Sequence, residues 1–202
     1  ETARGAHTVQ PARSPSENWD GPFFAGLTGH SPETHFHLRH PLCEPVGEPK
    51  EEAEIWTDLA DALGLIPDYP PELEELAQKD RMQFAGALMG YVGKNPDKAP
   101  VLPFVLARTL GKALDSASLT LLWVMLGQYC QTAGPKLERA GHTPSLTLGD
   151  ELFQKFIDQP VDILLCVDDV DNNLAENIRT SDGKVHLHIP VLDDWMTGIN
   201  PS

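Results

Sequence analysis

Apolar residues recur at helical spacing in several long stretches of this chain and merge into one short unbroken run. From Lys50 to Leu63, the residues Ile55, Trp56, Leu59, Ala62 and Leu63 fall on one helical face and are expected to be buried. An acidic start (Glu51, Glu52, Glu54) suits the positive end of that helix, and Gly64 can end it. Glu72 to Tyr91 predicts a second helix, with Leu73, Leu76, Ala77, Phe84, Leu88 and Tyr91 inward and Gly93 as its stop. Leu102 to Leu114 predicts a third, with Pro103 tolerable only in its first turn. Ser116 to Ala133 predicts a fourth, N-capped by Ser116 and ended by Gly134, with Leu119, Leu122, Trp123, Leu126, Tyr129 and Cys130 inward. Lys136 to Ala140 adds a turn. Asp150 to Gln159 carries Leu152, Phe153, Phe156 and Ile157 on one face and stops at Pro160. Ile163 to Val167 is too short for a helix and reads as a strand covered on both faces.

Two other segments alternate. Thr180 to Gly183 is a turn, and Lys184 to Ile189 then places Val185, Leu187 and Ile189 on one strand face and His186 and His188 on the other. His35 to Leu42 alternates briefly before Pro41, as an edge strand or an extended loop. Val191 to Met196 is a short helical turn. Strands at 163–167 and 184–189 joined through a helix are expected to be parallel neighbours. The predicted fold is a helix-rich α/β domain: a small, mostly parallel sheet flanked by about five helices. Residues 1–34 read as a mobile arm and loop, 35–196 as a single domain, and 197–202 as a frayed tail. A two-stranded sheet is marginal alone, so the fold is expected to be incomplete without strands from 35–38 or from another chain.

Charge narrows the function classes. The 202 residues carry a net charge of −15, from 15 basic and 30 acidic side chains. That balance excludes nucleic-acid binding through phosphate neutralisation and disfavours anionic membrane surfaces. The longest apolar run, Leu119 to Leu126, is far too short for a membrane span, so no membrane insertion is expected. Cys43, Cys130 and Cys166 have no ligand spacing and build neither a zinc ribbon nor an iron–sulfur site. Their number fits a reducing, cytoplasmic setting. The chain begins at Glu1 rather than Met, from which a longer parent is expected.

Local motifs supply little chemistry. Asp169 to Asn173 opens like a calcium loop, but Leu174 and Thr180 stand where that loop needs Gly and Glu, so these residues are expected to cap a short helix through Ile178 instead. His35, His37 and His40 lack a carboxylate or thiolate nearby to complete a tetrahedral set. His186 and His188, on one strand face, are the runner-up metal ligands, weighed against a pair that simply faces solvent or a partner. Gly90 to Lys94 lacks phosphate-loop spacing, and neither GxSxG nor HExxH occurs. No catalytic or cofactor-binding residue is identified.

Several segments nonetheless resemble a known family. Phe36-His37-Leu38-Arg39-His40-Pro41-Leu42, Glu44-Pro45, Glu54-Ile55-Trp56 with Leu63-Gly64, and Leu110-Gly111-Lys112-Ala113-Leu114 look like the molybdopterin-dependent oxidoreductases of the dimethyl-sulfoxide-reductase family. So do Leu148-Gly149, Leu152-Phe153-Gln154 and Asp182 to Pro190. The likeness runs from about Phe36 to about Met196 and falls on the segment before the C-terminal dinucleotide-binding barrel. It implies a structural portion of a catalytic subunit, not catalytic alone. The full enzyme would hold molybdopterin guanine dinucleotide with molybdenum or tungsten, in many members with an iron–sulfur cluster. None of these is expected on this chain alone. The implied partner is the remainder of the oxidoreductase or another protein chain. The alternatives are a non-catalytic protein-interaction module and a small histidine-dependent metalloprotein using His186 and His188.

Overall fold

Helix ends are set by local chemistry at most of the predicted places. The computed structural model describes residues 2–21, 32–172, 178, 180–186 and 188–199. Helix α1 (Glu52–Ala62) ends at Gly64, whose φ of +68° is a conformation that side-chain-bearing residues rarely adopt. The predicted second helix is two. Asp80 is extended (φ −159°, ψ 104°), and its side chain accepts from Met82 N and Gln83 N at 2.9 and 3.0 Å, ending α2 (Glu72–Lys79) and capping α3 (Arg81–Lys94). Helix α4 (Leu102–Leu106) runs into a π-helical turn (Ala107–Gly111). In that turn Thr109 Oγ1 donates to the Val105 carbonyl at 2.7 Å, a bond that loosens a helix. Helix α5 (Ala117–Thr132) is capped by Ser116 as expected, with Oγ accepting from Leu119 N. Helices α6 (Gly134–Arg139) and α7 (Leu148–Asp158) follow.

The sheet corrects the predicted fold class. The protein is 54% helical with a single small sheet among the described residues, and that sheet is antiparallel, not mostly parallel. Strand β1 (Glu33–Phe36) pairs with β2 (Ile163–Val167), Glu33 opposite Val167 and Phe36 opposite Ile163, with an irregularity between Thr34 and His35. Residues 184–186, 188 and 189 form no strand; Leu187 lies outside the described residues. The 163–167 run therefore pairs with the earlier segment starting near His35, more than a hundred residues back in the chain. Side chains, rather than a third strand, take two β2 carbonyls: Arg139 Nε donates to Val167 O at 2.8 Å, and His142 Nε2 lies 2.9 Å from Leu164 O.

The chain divides into two units, Glu1–Val167 and Asp168–Ser202. The first holds one core, in which α5 packs against α7 and Phe84, Leu110, Leu137, Phe153 and Phe156 are fully enclosed. Residues 11–20, expected within an arm, run beside 39–50: Arg13 N donates to Lys50 O, Asp20 and Arg39 exchange backbone bonds, and Trp19 packs on the His40 ring at 4.5 Å. The second unit holds the turn predicted at 180–183, closed by Gly183 N to Thr180 O at 3.0 Å, and α8 (Pro190–Thr197). The expected cap of a helix through Ile178 falls largely outside the described residues. Asp169 Oδ1 accepts from Asp171 N and Asn172 N in a tight turn.

The expected buried face of α1 is reversed. Thr57 and Ala60 are enclosed, while Trp56, Leu59 and Leu63 are 56, 49 and 65% exposed. Thr57 donates to Ala53 O within the helix, which satisfies its hydroxyl and lets it pack inward.

At the α5–α7 crossing the backbones nearly touch. A Cβ on Gly149 would lie 2.7 Å from Gly127 Cα, and no side-chain movement relieves a backbone clash. Gly149→Ala is expected to lower stability by about 1–3 kcal/mol in urea unfolding. Gly90→Ala, with nothing within 4 Å of the new methyl, is expected to be neutral or stabilising by about 0.5 kcal/mol.

Candidate functional site

The densest meeting of charged groups lies where the start of α1, the π-helical turn and the start of α5 converge. Its position follows from the parallel bridge of Ala12 with Lys50, which brings Arg13 beside the α1 entry. Glu51 precedes α1 but does not cap it. Its side chain crosses to α5, accepting from Ser118 N at 3.0 Å on one oxygen and from Arg13 Nη1 at 3.5 Å on the other. Glu51 is only 2% exposed. A buried carboxylate costs several kcal/mol unless compensated; here a helix N-terminus and a guanidinium compensate it. With Ser116, two oxygens distant in sequence satisfy the first amides of α5.

A second network lies one turn along α1. Asp58 accepts from Lys50 Nζ and from Arg108 Nη2 at 3.0 Å, and Arg108 also reaches Asp61 at 2.9 Å. The Lys50 hydrogen bond, opposed in part by burial and helped by nearby positive charge, holds the Asp58 carboxyl below the usual range. Arg108 projects from the π-helical turn. Asp115 (φ +52°) then turns the chain toward Ser116. A cavity of about 230 Å³ lies among these groups. Arg13 contacts Glu51, Arg108 contacts Asp58 and Asp61, and Lys112 lies 3.6 Å from Glu74, while the buried Arg13 Nε has no hydrogen-bond partner. The arrangement joins three segments electrostatically.

A larger, open groove of about 890 Å³ runs along α2 and α3. Tyr69 OH donates to Glu74 at 3.1 Å and Tyr91 OH to Asp68 O at 3.1 Å. Burial, then the Glu74 hydrogen bond, raises the Tyr69 hydroxyl, so it stays a neutral donor. Asp68, Glu72, Glu75, Lys79 and Lys94 border the groove.

A third polar group belongs to the core. Asp150 of α7 accepts from Arg81 Nε at 2.6 Å and Nη2 at 3.2 Å, and from Trp123 Nε1 at 2.8 Å. Arg81 also donates to Gln154 and lies 5.3 Å over the Phe153 ring. One guanidinium thus fastens α3 to α7, and α5 joins through Trp123.

The sequence-predicted residues are placed apart from these networks. His186 Nε2 bonds Asp182 at 3.0 Å and His188 Nδ1 bonds Asp193 at 2.9 Å, both exposed and on no strand. His35 Nδ1 faces Asp162 at 2.7 Å, His37 is exposed, and His40 Nε2 lies 3.1 Å from Phe156 O, so the three point to different partners. Among the described residues, no three His, Cys, Asp or Glu side chains assemble as a metal-binding group. Cys130 and Cys166 are buried and Cys43 is exposed; burial pushes the Cys130 thiol up to about 11, leaving it protonated. Gly90 to Lys94 lies within α3 rather than in a loop. Sequence reasoning missed Glu51 and Asp150 as junction residues. Their only local signal was an acidic first helical turn, which both share with ordinary solvated carboxylates. Among the described residues no helix is long and apolar enough to cross a membrane. Comparison with family models, with curated proteins and with solved structures found no match in any of the three.

The depressed Asp58 fixes a direction for acid unfolding. A carboxyl held low in the folded state stabilises fully above its unfolded value, about pH 4, and that contribution is lost as pH falls through the folded value. Asp58→Asn is expected to lose about 1 kcal/mol at pH 7 and to show a shallower decline below pH 4, read by urea unfolding across a pH series.

Proposed function

We propose that this chain is a structural portion of a molybdopterin-dependent oxidoreductase catalytic subunit, supporting redox chemistry carried by the rest of the enzyme. The observation that supports this reading is where the family-like segments fall. Phe36, Leu38, Leu110, Leu148, Leu152 and Phe153, drawn from four of those segments, are all buried in one core. Gly149 of the Leu148-Gly149 pair sits at the tightest helix crossing. Part of the likeness is thus carried by framework positions, while Leu42, Trp56, Leu63, Val185 and Ile189 of the same segments are exposed.

Among the described residues, the two cavities are poorly suited to the cofactor itself because acidic side chains crowd them. A pterin dinucleotide carries phosphates, which call for unengaged cations or backbone amides. Carboxylates crowd both cavities: Glu51, Asp58 and Glu74 contact the cations of the smaller one, and Asp68, Glu72 and Glu75 stand beside Lys79 and Lys94 on the larger groove. The Cys130 thiol, protonated and enclosed, is a poor metal ligand. On this reading the cofactor and its metal are held by the remainder of the enzyme, which is also the partner, and no reaction step is assigned to this chain.

Affinity isolation of the tagged chain from its native source, followed by molybdenum and tungsten analysis and intact mass, tests the proposal. A fixed ratio of metal and pterin to a longer or second polypeptide is the expected result. Recovery of the 22.2 kDa chain free of molybdenum, tungsten and pterin would overturn it.

A further inference from the structure

Residues 11–20 supply one wall of the smaller cavity, through Arg13, and are held to the body mainly by polar contacts. None of the ten is enclosed, and the half-buried Trp19 makes their contact with the core. At one end Arg13 N donates to Lys50 O at 3.0 Å and Lys50 N to Pro11 O at 3.2 Å. At the other end Asp20 and Arg39 exchange backbone bonds of 3.0 and 2.7 Å. Between them Ser16 O accepts from Leu42 N, and Glu17 Oε1 accepts from Val46 N. Three buried polar atoms of this contact, Arg13 Nε, Asn18 Oδ1 and Arg39 Nε, have no hydrogen-bond partner. Each such atom takes stability from the closed arrangement. Little apolar burial, exposed backbone bonds and unpaired polar atoms together mark a segment that opens more readily than a core. What it covers is the opposite kind of structure: Glu51, 2% exposed, accepting from Ser118 N at the head of α5.

We propose that residues 11–20 are a strap that opens and closes over this cavity while the helices stay folded, with Arg13 as its latch on Glu51. In the closed form the Arg13 guanidinium stands 3.5 Å from the Glu51 carboxylate and compensates its burial. In the open form that carboxylate meets water, which competes for its bond to Ser118 N. The cap of α5 then loosens at this one amide, while Leu119 N stays on Ser116 Oγ. Salt shifts the balance toward the open form, because the Arg13–Glu51 pair and the more exposed Arg39–Asp20 pair are both weakened by screening. The strap therefore couples the N-terminal segment to the solvent access of the cavity and to the first turn of α5. The inference goes beyond the family reading and does not rest on it.

Native-state hydrogen exchange on the full chain, read amide by amide by NMR at several low urea concentrations, tests the proposal. The amides of Arg13, Asp20, Leu42 and Lys50 are expected to share one opening equilibrium, at least about a hundredfold more open than Leu122 and Leu126 of α5. That opening is expected to be nearly independent of urea, because it exposes little surface, whereas the α5 amides follow the full unfolding slope. Raising potassium chloride to about 0.5 M is expected to speed exchange at the strap amides and not at Leu122. Arg13→Ala leaves the Glu51 carboxylate without its cation, and is expected to raise exchange about tenfold at Asp20 and Lys50 and several-fold at Ser118, with Leu119 unchanged. Trp19→Ala, at the far end, is expected to raise exchange at Lys50 as well as at Asp20. The wild-type measurement decides the matter even where a variant folds poorly. Strap amides that exchange only with global unfolding, at the rate and urea slope of Leu122, would overturn the proposal. So would two ends that respond separately to the variants, or a Ser118 amide indifferent to the loss of Arg13.

Discussion

The arrangement of the first unit depends on how closely α5 and α7 can approach. Gly127 and Gly149 bring the two backbones together where any side chain would hold them apart. The next residue along α7 is Asp150, and only at that separation can its carboxylate take the Trp123 indole N–H while also receiving the fork of Arg81. Close packing and polar satisfaction are therefore one constraint here. Moving α7 outward would open a void along Leu126 and Leu152 and also strand a half-buried carboxylate, a guanidinium and an indole.

The same economy of contacts appears at the other end of α5. Its first amides are satisfied by Ser116 from its own turn and by Glu51 from the entry of α1. Glu51 is in turn steadied by Arg13, whose backbone is held by the bridge to Lys50. A helix cap thus ties the N-terminal segment, α1 and α5 into one junction. The neighbouring Lys50–Asp58–Arg108–Asp61 network adds electrostatic coupling to the π-helical turn.

Much of the helical framework is legible in the sequence, and the reason is local. Ser116, Leu119, Leu122, Trp123, Leu126 and Cys130 declare their cap and their buried face through spacing alone. The cap at Asp80 was missed, because the apolar period continues through it from Leu76 to Phe84 and conceals the break. The pairing of β2 was legible only in part: 35–38 was offered as one strand that could complete the sheet, but not as the direct antiparallel neighbour. A run such as Ile163 to Val167 says that it is buried but not which distant segment lies beside it, and the alternation of Val185 and His186 supplied a nearer, false partner. For α1 the period grouped Trp56, Leu59 and Leu63 on one face, but periodicity says which residues share a face and not which face is buried, and here Thr57 and Ala60 are enclosed instead. The charged junction was hidden for a similar reason. Glu51 and Asp150 look like ordinary first-turn acids until tertiary structure aims them at Ser118 and Trp123.

The distribution of the three sulfhydryls has a practical side. Cys130 and Cys166 are enclosed, and Cys43 alone meets solvent, on the loop just after the stretch that Trp19 and His40 pin together. A maleimide or nitroxide reagent applied to the folded chain therefore has one address. Distances measured from a dye or spin label there can follow the first unit without any engineered residue.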